Sequence, residues 1–464
     1  MVIDETIADL KAGKLAIDCI DMALTQVADE RPITFRGKGY IRQDEEGVFR
    51  FKIYAQEVDN TDHFKTLERH LQGQSGTIVE RQEYYSLVAT DMAGKAWAAT
   101  DLLPDCSWGS GGAVVVSGTI ALLTTCYQTS LGAGGLRVHF FDSADIPCSH
   151  STKTESNDRT SYSRDRSNFV IGDRQFQFLK LDDEFIVEIT PSGEFPMIYP
   201  WFVQQAMRFI LATSVTWRAC LRIEGGQTHF ELRSPIAKSA KVRQDPPLQR
   251  IQYIYPTQSI RMFSNYLSYI ERNGNASKGS MLSYHLHNAC EASANSVDAW
   301  AIGLGVAVEA LASLIEKPAD TALERRAAAA KARHLAAFKK SAMGAVTGRS
   351  EFEALAKRLE GFLNGMSHVR PRDRLEPLVG TGHVNVDHLR AWSKMRNSHV
   401  HPTVREARDD GGSAMQDKLD LISKTTVLLY HIVFFIIGYE GEYSDYAVHG
   451  WPIGTYPLQR AVAP

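Results

Sequence analysis

The run Trp392-Ser393-Lys394-Met395-Arg396-Asn397-Ser398-His399-Val400-His401-Pro402 gathers a guanidinium, an amide and two imidazoles in one short stretch. Such a set suits RNA cleavage by internal attack of the ribose 2′-hydroxyl. A base removes the 2′-proton, an acid protonates the departing 5′-oxygen, and a cation steadies the charged phosphorane. Histidine serves the proton transfers because its pKa lies near working pH. Arginine keeps its charge and offers a planar fork to phosphate oxygens. No metal is required if these groups are well placed.

The spacing sets a condition. At ~3.6 residues per turn, positions five apart on a helix stand about 140° from each other. Arg396 and His401 therefore share no face of an uninterrupted helix. Pro402 biases His401 out of the helical region and favours a stop there, so that His401 can swing toward Arg396. His399, three residues after Arg396, lies on the arginine's own side and competes for the imidazole role.

Arg396-Asn397-Ser398-His399-Val400-His401 resembles the HEPN motif: an Arg, a polar residue, and a His about five positions after the Arg. The resemblance implies a helical bundle that dimerises so that two motifs form one cleft. It also implies a metal-independent ribonuclease with Arg396 and His401 as the catalytic pair and Asn397 in support. Other HEPN domains are catalytically dead interaction modules. In the family an acid on an earlier helix braces the Arg, and Glu309 in Val306-Ala307-Val308-Glu309-Ala310-Leu311 is the best match. The layout of the whole chain is similar to ApeA-type abortive-infection proteins, with a β-rich domain ahead of a HEPN domain. An Arg and a His at this spacing also occur on ordinary solvated helix ends. Glu309 reads equally as a helix acid paired to a nearby base.

Other clusters carry less. Arg370, Arg372 and Arg374 in His368-Val369-Arg370-Pro371-Arg372-Asp373-Arg374 can guide an RNA backbone, but a solvated loop balanced by Asp373 and Glu376 is the preferred reading. His285, His287 and Cys290 match no common zinc spacing and read as helix surface. The Gly109–Gly112 and Gly132–Gly135 clusters lack the Gly-Lys-Ser/Thr of a phosphate loop and read as turns. No metal or cofactor is expected.

The elements that must position these residues divide the chain of 464 residues in two. Hydrophobic residues make up 44%, enough for real cores, and the net charge is −3, so any RNA contact must be local. The six cysteines are scattered singly, with no CxxC pair, as for reduced thiols in a cytosol. The early acids Asp4 and Glu5 argue against a signal peptide. The apolar stretch from Thr425 to Tyr439, interrupted by His431, is shorter than the ~18–20 residues of a membrane span and reads as a buried bundle helix.

Residues 1–255 read as mostly β. A hairpin runs from Phe35 to Ile53 around the turn at Asp44–Gly47, and further strands fall at Tyr84–Ala89, Lys95–Thr100, Ala113–Thr125, Leu136–Phe141, Phe169–Ile171, Gln175–Leu179, Phe185–Ile189, Arg218–Ile223 and His229–Leu232. One helix is expected near Trp201–Thr213. The polar tract 149–168 reads as a long mobile loop. Residues 256–464 read as helices at Ile260–Arg272, Tyr284–Cys290, Val297–Glu316, Thr321–Ala342, Glu351–Leu363, Val386–Ser398 and Met415–Tyr439. The fold class is α+β multidomain: a β-rich N-terminal sensor or regulatory domain, then an all-α HEPN bundle.

The expected function is an endoribonuclease effector of a bacterial anti-phage or toxin system. RNA, tRNA included, is its substrate, and a homodimer or higher homo-oligomer completes its site. A phage-derived trigger would act on the N-terminal domain, in the cytoplasm and without a membrane. The alternative is a catalytically inactive HEPN module that dimerises and recognises a phage or nucleic-acid partner.

Overall fold

A computed structural model describes residues 3–59, 78–108, 114–128, 134–156, 159–190, 194–235, 242–249, 256–275, 279–315, 322–346, 352–365, 370–400 and 412–458. The chain forms two compact units: Met1–Ser239 with Arg250–Glu271, and Ala240–Gln249 with Arg272–Pro464.

The first unit opens with helix α1 (Ile3–Lys11) and is built on an antiparallel sheet of fifteen strands. These are β1 (Ala16–Gln26), β2 (Thr34–Gln43), β3 (Phe49–Asp59), β4 (Tyr85–Asp91), β5 (Ala96–Leu102), β6 (Asp105–Trp108), β7 (Val114–Ile120), β8 (Leu122–Gln128), β9 (Gly135–Phe140), β10 (His150–Ser156), β11 (Arg159–Ile171), β12 (Arg174–Lys180), β13 (Phe185–Thr190), β14 (Trp217–Glu224) and β15 (Gln227–Arg233). Their order is β10-β11-β12-β13-β9-β14-β15-β8-β5-β4-β1-β2-β3-β7-β6. The two halves of the sheet meet at one register pair, Ala98 with Thr124, where the Thr124 hydroxyl also donates to the Ala98 carbonyl at 3.2 Å.

Side chains two apart share a face, so Tyr85, Leu87 and Ala89 of β4 and Trp97 and Ala99 of β5 all point into one core. The sheet between β5 and β7 curls until these two strands touch, and the core fills the inside of the curl. Gly37 and Gly39 make this possible. A Cβ at either would strike the carbonyl of Tyr54 or Lys52 on β3, and a register shift falls between Arg36 and Gly37.

In the other half, helix α2 (Tyr199–Leu211) lies on β14, and helix α3 (Pro256–Asn273) presents Met262, Phe263, Tyr266, Leu267 and Ile270 as a buried stripe. The Phe263 ring meets Phe169, Phe176 and Phe178 edge-on at centroid distances of 6.0, 6.1 and 5.1 Å. Tyr266 stacks on Phe209 of α2 at 4.7 Å.

Three expectations change here. The polar tract 149–168 is not a loop: β10 and β11 pair as a hairpin at the sheet edge. A ladder needs backbone groups rather than apolar side chains, β12 offers an open edge, and the Ser167 hydroxyl fastens the base by donating to the Pro147 carbonyl at 2.8 Å. The single strand expected over Ala113–Thr125 is two, β7 and β8, on opposite sides of Ala121. The boundary at 255 moves as well. Helix α3 belongs with the sheet because its apolar stripe meets phenylalanines there, while 240–249 belongs with the helices.

The second unit holds α4 (Met281–Ala292), α5 (Val297–Leu314), α6 (Ala322–Val346), α7 (Glu353–Gly365), α8 (Pro371–Gly380), α9 (Val386–Val400) and α10 (Gly412–Ile437), then a two-stranded hairpin of β16 (Gly441–Ser444) and β17 (Ile453–Tyr456). α10 is its centre: every residue from Thr425 to Phe434 is buried. Both α5 and α10 are long and apolar enough to cross a membrane by length and composition. Here α5 packs against α4, α8, α9 and α10.

Phe263 anchors α3 through three aromatic contacts, so Phe263→Ala should destabilise the β-rich unit by about 3–5 kcal/mol. Denaturant unfolding read by near-UV circular dichroism checks this, with Phe263→Leu costing clearly less.

Candidate active site

The C-terminal motif sits on α9, and its position is set by close packing against α5. Both helices run in the same direction. The Trp392 indole N–H donates to the Gly305 carbonyl at 3.3 Å, and one turn further along both helices the Arg396 Nε pairs with the Glu309 carboxylate. Trp392 is buried. The contact is made through the Gly305 carbonyl; a side chain at Gly305 would point into open space.

The Arg396–Glu309 pair is half-exposed, with side-chain exposures of 42% and 31%. Ion pairs in such surroundings contribute roughly 0–1 kcal/mol. Its effect is orientation: a long, flexible side chain is held in one direction beside the last turns of α9. Ser398 closes locally, its hydroxyl donating to the Met395 carbonyl at 2.9 Å. Asn397 is exposed on the neighbouring face. His399 is in the last turn of α9, and its side chain lies outside the description. His401 and Pro402 lie outside the described residues, so the swing expected of His401 does too.

The segment with Arg370, Arg372 and Arg374 is helical rather than a loop. Pro371 opens α8 at a position where its missing N–H costs nothing, and the Asp373 carboxylate accepts from the Arg370 backbone N–H at 3.0 Å. Arg372 pairs with Glu376 at 2.7 Å. Arg374 donates to the carbonyls of Ser313 and Ile315, both at 3.0 Å, and so caps the C-terminal end of α5. Two of the three arginines are thus engaged within the bundle, and Arg374 secures the helix that carries Glu309. His287 pairs with Glu291 at 2.9 Å, and Cys290 is buried. Among the described residues no group of three or more His, Cys, Asp or Glu side chains could hold a metal ion.

One cluster escaped the sequence reading. His388, two turns before Arg396 on α9, faces His431 of α10 with ring centroids 5.9 Å apart. Tyr443 and Tyr456 of the terminal hairpin close on His431 at 4.8 and 5.3 Å. Neither His431 nitrogen has a hydrogen-bond partner among the described residues, nor does Nδ1 of His388. Burial pushes the His431 imidazole down to about 3, and His388 adds to this. Burial also lowers His388, helped by Lys424 and opposed by Asp445 and Asp387. The only signal in the sequence was a histidine interrupting the apolar run of α10.

No family model, curated protein or solved structure matches this chain.

The depressed His431 fixes a pH dependence. Folding favours its neutral form, so its contribution is fully present above the unfolded value of about 6.5 and is lost as pH falls toward about 3. Acid should therefore unfold the helical unit by several kcal/mol over that window. His431→Phe should flatten this part of the profile, as read by denaturant midpoints at a series of pH values. An unchanged slope would show that the imidazole does not carry the effect.

Proposed function

We propose that the helical unit is a metal-independent endoribonuclease of the HEPN type, acting in the cytoplasm as an anti-phage or toxin effector. One observation carries the reading: Arg396, chosen for its motif, engages Glu309, chosen as its brace from a different helix. Nε takes the carboxylate, and an arginine has further N–H groups at its other end that can meet a scissile phosphate. His401 would exchange protons with the 2′-oxygen and the leaving 5′-oxygen, with His399 as its rival. Asn397 would position the strand.

One motif per chain supplies one arginine and one catalytic histidine, so a homodimer would complete the cleft. Ile302 and Val306, 47% and 56% exposed, continue along α5 on the face that leads to Glu309. That apolar strip is the surface we assign to the second copy. The β-rich unit would sense the trigger.

A second reading rests on the same ion pair. Arg396 fastened to Glu309 also describes a bundle used only for dimerisation and partner binding.

Three outcomes separate the readings. Bulk RNA or tRNA incubated in EDTA should be cut by the protein and left intact by Arg396→Ala and by His401→Ala; equal products from all three would sink the enzyme. Glu309→Gln should change stability by less than about 1 kcal/mol yet slow cleavage on the order of a hundredfold. Paired loss of stability and activity would favour the fastening role. Val306→Asp should yield monomers by light scattering and abolish cleavage without lowering the melting temperature.

A further inference from the structure

Two arginines of the β-rich unit come together at the end of the β14–β15 ladder. Arg218 on β14 and Arg233 on β15 flank the register pair Ala219–Leu232, and Arg218 Nε donates to the Arg233 carbonyl at 2.8 Å. Like charges facing across a ladder are destabilising. Both guanidinia are also largely withdrawn from water, which depresses both, and Arg233 depresses Arg218 further. Asp142 is the acid that acts on Arg218. No acid is among the groups acting on Arg233.

Aromatic rings line the same place. The Arg233 guanidinium lies 5.1 Å from the Trp201 ring centroid and 5.4 Å from that of Trp217, and Arg218 lies 5.7 Å from Phe141. Trp201 is 39% exposed. It shares a face of α2 with Gln204 and Arg208. The Oε1 of the buried Gln204 side chain accepts from the Trp217 backbone N–H at 3.1 Å and from Arg233 Nη1 at 3.3 Å. Arg208 is turned to the Val215 carbonyl and the Thr216 hydroxyl.

The remaining valences all have one sign. Arg218 Nη2, Trp217 Nε1 and Gln204 Nε2 are buried and have no partner among the described residues. All three are donors. Unmet buried donors and apposed cations call for a ligand rich in anionic oxygens, and the rings give a planar group a surface to lie on. We propose that this patch binds a nucleoside phosphate, free or within a single strand, with phosphate between Arg218 and Arg233 and the base against Trp201. The arrangement costs the fold stability in the absence of such a ligand and recovers it on binding.

The test uses the full chain and fluorescein-labelled oligothymidine, which lacks the 2′-hydroxyl and cannot be cut by the proposed nuclease chemistry. Binding is read by anisotropy, with unlabelled ATP and inorganic phosphate as competitors. Arg218→Gln and Arg233→Gln should each weaken binding about tenfold or more, and Trp201→Ala should weaken the nucleotide probes only. Melting temperatures of the arginine variants should be unchanged or higher, because a like-charge contact is relieved. Displacement by ATP assigns a free nucleotide; binding of the oligomer without displacement assigns a strand. Inorganic phosphate competing as well as ATP would overturn the base contact. No binding of any probe, or arginine variants that bind as well as the parent, would overturn the site.

Discussion

The helical unit depends on the burial of one segment. Thr425 to Phe434 of α10 has no solvent-facing side, so something must cover it all round. Helices α5 and α9 cover part. The segment 242–249 joins them: the Tyr430 hydroxyl donates to the Asp245 carbonyl, Gln244 donates to the Tyr430 hydroxyl at 3.0 Å, and the Ser444 backbone N–H donates to the Pro247 carbonyl at 2.9 Å. The hairpin of β16 and β17 closes over His431 and Phe434 with Tyr443 and Tyr456. This explains why residues 240–249, far away in sequence, leave the sheet and join the helices. It also explains the candidate site. Once α5 and α9 are both pressed on α10, the contact of Trp392 with Gly305 fixes their register, and Arg396 arrives beside Glu309.

The β-rich unit meets the opposite problem. Its sheet runs out to an edge at β10, which pairs with β11, and β11 in turn is anchored by Phe169 among Phe176, Phe178 and Phe263. Burial is concentrated inside the curl between β5 and β7 and under α2 and α3. Between these regions the sheet tolerates charge. Arg222 and Glu231 are both buried, 3.7 Å apart, and burial raises the Glu231 carboxyl against the pull of Arg222. Arg218 and Arg233 are a costlier case, because they repel.

Much of this was legible in the sequence, and the reasons differ by element. Periodicity of 3.6 located seven of the eight helices described beyond residue 255, with α5 and α9 starting on the expected residues. The hairpin of β2 and β3 followed from its turn at Asp44–Gly47 and its alternating apolar residues. α8 was hidden because Pro377 and three arginines resemble a loop, whereas Pro at the start and Asp373 three residues on are helix-opening signals. The polar hairpin was hidden because a ladder leaves no trace in hydrophobicity. Assigning α3 to the sheet needed knowledge of Phe169, Phe176 and Phe178 on another strand pair. Local patterns name elements; which unit an element joins is decided by long-range packing.

The two groups of arginines show how magnitude separates positioning from stability. Arg374 and Arg372 sit in ordinary surface roles, worth a few tenths of a kcal/mol each by charge or capping. Arg396 is held by a pair of similarly small value, so the pair with Glu309 orients the side chain more than it stabilises the fold. Arg218 and Arg233 go further, since their apposition opposes folding. A chain with a net charge of only −3 has no general field to draw a polyanion. Phosphate recognition by such a chain would rest on guanidinia fixed in place, as Arg396 is by Glu309 and Arg218 by the Arg233 carbonyl.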